Sequence, residues 1–215
     1  MKLRSIAALS LALACDPPPP PVDAQSPSAT ASSVASVPRP VPPRPRKKYS
    51  VAVLGDSLTD ENTRGGGYVK LLRERCPESR FDNYGKGGDM LTHITRRYRR
   101  DLFGPKKPKY DHLILFAGVN DLYSDGRNPK TISEDMSRIF GEAREHGMKI
   151  TAITVAPWGG FKRYFTPKRG ERTRELNDWI RGRRAAGEVD FVVDAFALLG
   201  CGTGDVLCPK VTKPF

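Results

Sequence analysis

Ser50-Val51-Ala52-Val53-Leu54-Gly55-Asp56-Ser57-Leu58-Thr59 is the stretch on which the reading of this chain turns. Its first half is a short, continuous apolar run, the pattern of a strand buried on both faces rather than on one. Its second half is polar and begins with glycine, so the strand ends abruptly and hands the chain to a turn. Similar runs recur at 113–116, 150–155 and 189–193, with a weaker one at 80–84.

Between the runs lie helical patterns, predicted over 68–75, 90–102 and 172–184. The clearest places Ile132, Met136, Ile139, Phe140 and Ala143 on one face, with Thr131 and Glu134 as a capping box and Gly147 as the stop. Strands alternating with helices imply a parallel sheet covered on both sides. Ligands of such sheets bind beyond the carboxyl ends of the strands.

Outside this region the composition changes. Lys2 and Arg4 precede an apolar stretch from Ile6 to Ala14 that ends in small residues before Cys15, which reads as an export signal. Ala12-Leu13-Ala14-Cys15 resembles a bacterial lipobox, so Cys15 is the expected lipidation site; cleavage by an ordinary signal peptidase near Ala14 is the alternative. Residues 16–48 carry eleven prolines and almost no large apolar group. Such a segment cannot collapse and is expected to be an extended tether. The expected organisation is therefore a signal over 1–15, a Pro-rich linker over 16–48 and a single domain over 49–215, exported and held at the cell envelope by a lipid.

The 215 residues hold 36 Lys+Arg against 24 Asp+Glu, a net charge of +12. Seven basic and two acidic groups fall before Tyr49, so the domain itself is only moderately basic. With no basic motif interleaved with aromatics and with an export signal in front, nucleic acid is not an expected partner. No apolar run reaches the roughly 20 residues that span a bilayer. The four cysteines lack the paired spacing of a zinc site, and no metal or organic cofactor is expected.

Three strand ends carry polar motifs: Gly55-Asp56-Ser57-Leu58-Thr59, Asn83-Tyr84-Gly85-Lys86-Gly87-Gly88-Asp89, and Gly118-Val119-Asn120-Asp121. Taken singly, each has an ordinary reading. Asp56 or Ser57 can cap a turn, the glycines can form one, and Asn120 with Asp121 can too. Taken together they set a hydroxyl, a flexible backbone N–H and a side-chain amide at one sheet edge, which is a nucleophile and a candidate oxyanion hole. In this the sequence resembles the SGNH or GDSL hydrolases, a family of esterases and lipases, over essentially all of 49–193.

The resemblance implies a flavodoxin-like, three-layer α/β/α sandwich around a parallel sheet of about five strands. It further implies that Ser57 attacks an ester and that the N–H groups of Ser57 and Gly88 and the amide of Asn120 hold the oxyanion. The substrate class implied is a small or cell-envelope ester. A non-catalytic carbohydrate- or lipid-binding module on the same fold is the alternative. Trp158, Phe161, Tyr164 and Phe165 follow the fourth strand and either line a pocket or simply pack.

One family block is missing. Asp-x-x-His is expected near the carboxyl end, and the nearest match is Asp205-Val206-Leu207-Cys208. His93, His112 and His146 all fall elsewhere. Either Cys208 replaces the base, or the block lies beyond Phe215, which is the favoured expectation. Cys201 and Cys208 are expected to close a small disulfide loop in an exported protein, leaving Cys76 as the odd thiol.

Overall fold

The structure is a computed structural model that describes residues 47–63, 65–201 and 205–209. The expected signal, lipidation site and almost all of the linker lie outside the described residues. Five strands, β1 (Ser50–Gly55), β2 (Arg80–Gly85), β3 (His112–Phe116), β4 (Lys149–Ile153) and β5 (Phe191–Val193), form one parallel sheet in the order β2-β1-β3-β4-β5. That is a doubly wound, flavodoxin-like order. The weak run at 80–84 is thus a full strand, at the edge of the sheet.

Helices cover both faces. On one side pack α2 (Leu91–Phe103), α4 (Pro129–Glu145) and α5 (Pro167–Gly182). On the other lie α1 (Gly67–Arg75) and α6 (Ala195–Leu199). The alternation within β1 divides the core accordingly. Ala52 and Leu54 join Leu91, Ile94, Ile139 and Leu176 on the first face, whereas Val51 and Val53 join Tyr68, Val69 and Leu72 on the second. All four of these β1 residues are fully buried, which is why the run shows no alternation in polarity.

Two helix starts differ from the sequence expectation. The helix carrying Ile132 and Met136 begins at Pro129 and is capped by Asn128, whose side chain accepts from the Thr131 N–H while the Asn128 N–H donates to Thr131 Oγ1. Thr131 is therefore the third helical residue and not the cap. Similarly, α5 begins at Pro167 with Thr166 as cap, five residues before the predicted start, because proline at the first position fits a helix whose first N–H groups need no partner. A short helix α3 (Val119–Tyr123), which the sequence patterns do not predict, follows β3. Cys76, expected as the odd thiol, is buried at the end of α1 and is not a free cysteine.

The chain leaving β4 is fixed from α5 by one buried side chain. Asn177, fully buried, accepts the Val155 N–H through Oδ1 at 2.8 Å and donates Nδ2 to the Val155 carbonyl at 3.0 Å. A side-chain amide here satisfies both backbone groups of a residue that no strand neighbour pairs, and so directs the 156–165 segment across the carboxyl edge. Replacing Asn177 with Ala orphans both groups, at about 1–3 kcal/mol each for a buried donor or acceptor. We expect Asn177→Ala to lower the urea unfolding free energy by about 2–4 kcal/mol with an unchanged m value. A loss below about 0.5 kcal/mol would show that the clamp contributes nothing.

Candidate active site

Register places the three polar motifs side by side, since Gly55 of β1 lies opposite Gly85 of β2 and Phe116 of β3. The turn after β1 folds back onto those strand ends. A Cβ on Gly55 would lie 2.1 Å from Thr59 Oγ1 and 2.5 Å from the Phe116 carbonyl, and one on Gly85 would lie 2.5 Å from the Thr59 and Asp60 backbone. Only glycine permits this approach. The turn is held there by Asn83, which donates Nδ2 to the Thr59 carbonyl at 2.7 Å while its Oδ1 accepts the Gly85 N–H at 2.8 Å. Asp60 adds a second tie by accepting the Gly87 N–H at 2.8 Å.

Ser57 and Asn120 line the same cleft, a cavity of about 490 Å³ beyond the carboxyl edge. The N–H groups of Ser57 and Gly88 have no acceptor among the described residues. Gly88, at φ 80°, is exposed and open above its Cα. Asn120 donates one Nδ2 hydrogen to the Asp89 carbonyl at 2.9 Å, which orients the amide and leaves its second hydrogen free. Gly88 is not among the residues lining the cleft; it adjoins Asp89, the residue that holds Asn120.

Leu58, Val119, Tyr123, Trp158, Phe161, Tyr164 and Leu207 make the cleft walls largely apolar. Trp158, Phe161 and Tyr164 thus line a pocket, whereas Phe165 packs edge-on against Trp158 at 5.0 Å. Trp158 is oriented by its Nε1, which donates to Thr173 Oγ1 at 2.9 Å. Tyr123, Leu58 and Leu207 carried no sequence signal for the cleft, because their positions depend on α3 and on the carboxyl-terminal loop.

None of the three histidines lines the cleft. His93 sits in the first turn of α2, where its Nδ1 accepts the Met90 N–H at 3.3 Å and lies 3.7 Å from Asp89. The Asp205-x-x-Cys208 block is within the described residues, and its groups are engaged. The Asp205 carboxylate meets Arg174 Nη1 at 2.7 Å, its carbonyl accepts the Gly159 N–H, and Cys208 is bonded to Cys201 with Cα atoms 4.8 Å apart. A sulfur in a disulfide offers no thiolate, so oxidised Cys208 cannot act as a base. Among the described residues no cluster of three or more His, Cys, Asp or Glu side chains could hold a metal ion.

Beneath the cleft lie three buried carboxyls, Asp56, Asp89 and Asp121. Asp89 pairs with Arg97 Nε at 2.7 Å, and the same guanidinium donates to the Tyr84 carbonyl at 2.9 Å. Asp121 accepts the Leu91 N–H at 2.9 Å and lies 3.2 Å from Arg127 Nε, joining the start of α2 to α3. These ties were invisible in the sequence, since Arg97 and Arg127 look like ordinary surface charges. Asp56 differs. Its Oδ1 accepts the Leu58 N–H at 3.0 Å, but its Oδ2 is buried without a partner. Burial, with the neighbouring Asp121 and Asp89 charges, pushes the carboxyl from 3.8 up to about 7.

Between those two values the folded protein holds a proton that the unfolded chain has released. The stability conferred by protonated Asp56 is therefore complete below about pH 4 and is lost as pH rises toward and through about 7. Asp56→Asn removes the titration and keeps the acceptor for Leu58. We expect the melting temperature of the variant relative to the parent to rise between pH 4 and pH 8 by roughly 5 °C or more. A difference constant over that range would refute the assignment of a protonated Asp56.

The comparisons with known proteins bear on this geometry. No curated protein sequence matches the chain closely enough to count as a relative. Among solved structures, a GDSL-like lipase from Bacteroides thetaiotaomicron superposes with a TM-score of 0.59 at 18% identity, covering 77% of each chain. A member of the lipolytic G-D-S-L family from Veillonella parvula gives 0.58 at 17%, over 69% of this chain and 78% of the other. The lipase/acylhydrolase from Enterococcus faecalis gives 0.56 at 20%, over 70% and 78%. At such identities these structures establish the shared fold. A family model matches residues 53–207, which include all three strand-end motifs, and the chain belongs to the GDSL-like lipase/acylhydrolase family.

Proposed function

We propose that the protein is an SGNH-type serine acyl hydrolase in which Ser57 is the nucleophile and the oxyanion is held by the N–H groups of Ser57 and Gly88 and by Asn120 Nδ2. The observation that carries this reading is the pair of unsatisfied N–H groups, on Ser57 in the apolar cleft and on Gly88 next to the Asp89 that orients Asn120, whose amide has one hydrogen to spare. As a hydroxyl attacks an ester carbonyl, charge builds on the carbonyl oxygen, and each preorganised donor stabilises it by about 3 kcal/mol. The leaving group and acyl chain lie along the apolar walls.

Among the described residues, no histidine lines the cleft that holds Ser57. His93, His112 and His146 lie away from the cleft, and Cys208 is in a disulfide. That engagement of the Asp205 block favours a second reading, a module that binds esters or sugars without turning them over. Loss of a triad member leaves roughly 10³ to 10⁴-fold acceleration from the oxyanion hole and binding alone. We expect the 215-residue chain to hydrolyse p-nitrophenyl acetate slowly, within that range, Asn120→Ala to lower the rate by about 10²-fold through loss of an oxyanion donor, and any labelling by a fluorophosphonate to vanish in Ser57→Ala. A rate unchanged by Asn120→Ala together with labelling unchanged by Ser57→Ala would overturn the catalytic reading in favour of the binding module. Fast, Ser57-dependent turnover would demand a base outside the groups named above.

We propose further that the protein is exported and anchored through Cys15, on the strength of the Ala12-Leu13-Ala14-Cys15 sequence behind a basic and apolar leader. Metabolic labelling with a fatty-acid probe, lost on Cys15→Ser, is the expected result. Absence of labelling in the parent protein would exclude the anchor.

A further inference from the structure

Five large apolar side chains stand exposed among the described residues, and three of them, Tyr123, Phe161 and Tyr164, line the cleft. They form a wall leading away from Ser57 and Asn120. Tyr123 and Tyr164 meet edge to face at 4.9 Å. Behind them sits Arg169, whose guanidinium lies 5.0 Å from the centre of the Tyr123 ring and donates Nη1 to the Tyr164 carbonyl at 2.5 Å. Its side chain is only 16% exposed. The cation thus lies against two of the cleft's lining residues without lining the cleft itself.

Arg169 also lines a second cavity of about 350 Å³, with Asp125, Thr166, Lys168 and Arg172. This cavity thus adjoins the cleft at Arg169, which touches the cleft-lining Tyr123 and Tyr164. Three of the five lining residues are cationic. The single acidic one, Asp125, is held by Arg169 Nη2 at 2.8 Å, while Lys168 and Arg172 have no ion pair among the described residues. Arg174, one turn on, is by contrast neutralised by Asp205. Lys162 and Arg163, between the wall residues Phe161 and Tyr164, add further positive charge beside the same wall. A concave site with one sign of charge focuses potential and selects a counter-charged ligand.

Resting on the reading of the cleft as an ester site, we propose that its substrates are anionic: esters with an apolar spacer along Tyr123, Phe161 and Tyr164 and a terminal carboxylate or phosphate in the cavity lined by Lys168, Arg169 and Arg172. The ester carbonyl then lies at Ser57 and Asn120, and the charge of the substrate is read at the opposite end. Arg169 is committed to Asp125 and the tyrosine wall, so it shapes the junction. Lys168 and Arg172 have charge to spare and act as the specificity-determining pair.

Binding separates this proposal from the catalytic one. With Ser57→Ala as the host, so that no ester is consumed, calorimetric affinities are compared for monomethyl and dimethyl esters of straight-chain dicarboxylic acids of six to ten carbons. Each pair has the same spacer, and only the monoester is ionised at pH 7. Monomethyl esters paired with the corresponding ω-phosphate methyl esters distinguish a carboxylate terminus from a phosphate one. We expect at least one spacer length to bind about tenfold more tightly as the anion at low salt, with the preference shrinking as salt is raised. Lys168→Glu with Arg172→Glu should abolish or invert the preference without lowering the melting temperature, and Lys168→Arg should restore it when Arg172 is intact. Equal binding of neutral and anionic esters at every length overturns the proposal, as does a preference that survives the double charge reversal. Either result leaves Ser57-dependent hydrolysis of neutral esters untouched. Conversely, an anion preference in a protein that hydrolyses nothing would support the proposal and refute the catalytic reading.

Discussion

Backbone lying directly on backbone at the glycine ends of β1 and β2 is the contact on which the rest of the site depends. With any side chain at Gly55 or Gly85, the turn over 56–60 would be lifted by an ångström or more. Ser57 would then move relative to Asn120, which is fixed independently through the Asp89 carbonyl. Because β1 pairs with both β2 and β3, the sheet register brings the three loops to one place, and the glycines allow them to close on one another. Asn83 and Asp60 then lock the arrangement by hydrogen bonds that reach from one loop to the next.

Under this surface the protein concentrates negative charge in a way that an isolated fold would avoid. Asp89 and Asp121 are each compensated by a guanidinium from a neighbouring helix or loop, so their burial yields cross-links between elements. Asp56 has no such cation, and the lowest-cost state for it is the protonated one. Burial suppresses the charge of Asp56, beside Ser57, and also raises the Asp121 carboxyl despite its guanidinium.

The opposite wall obeys different constraints. Asn177 directs the chain after β4, and Thr173 orients Trp158, so helix α5 sets the shape of the apolar side of the cleft while its first turn contributes the cations. The disulfide between Cys201 and Cys208 anchors the carboxyl-terminal loop, and the Gly200–Leu207 bridge brings Leu207 to the cleft. Asp205 serves this same wall by joining Arg174 on α5 to Gly159. Asp205 and Cys208 thus act here as structural ties.

Local chemistry determined much from the sequence alone. Continuous apolar runs ending in glycine identify the buried strands, because two-sided burial leaves no room for polar alternation. Ser57, Asn83, Gly85, Gly88 and Asn120 mark three short strand-end motifs, because turns and polar strand ends favour those residue types within a few residues of each strand end. Helix starts were less legible. Asn128-Pro129 and Thr166-Pro167 compete with later polar residues as caps, and only the packed helix decides between them. Tertiary structure alone decided which charges are buried, since Arg97 and Arg127 find their carboxylates 8 and 6 residues away by folding of different elements. It also decided that the aromatic wall and Leu207 share one cleft with Ser57. Such convergence is set by the crossing of elements far apart in sequence, and no local pattern encodes it.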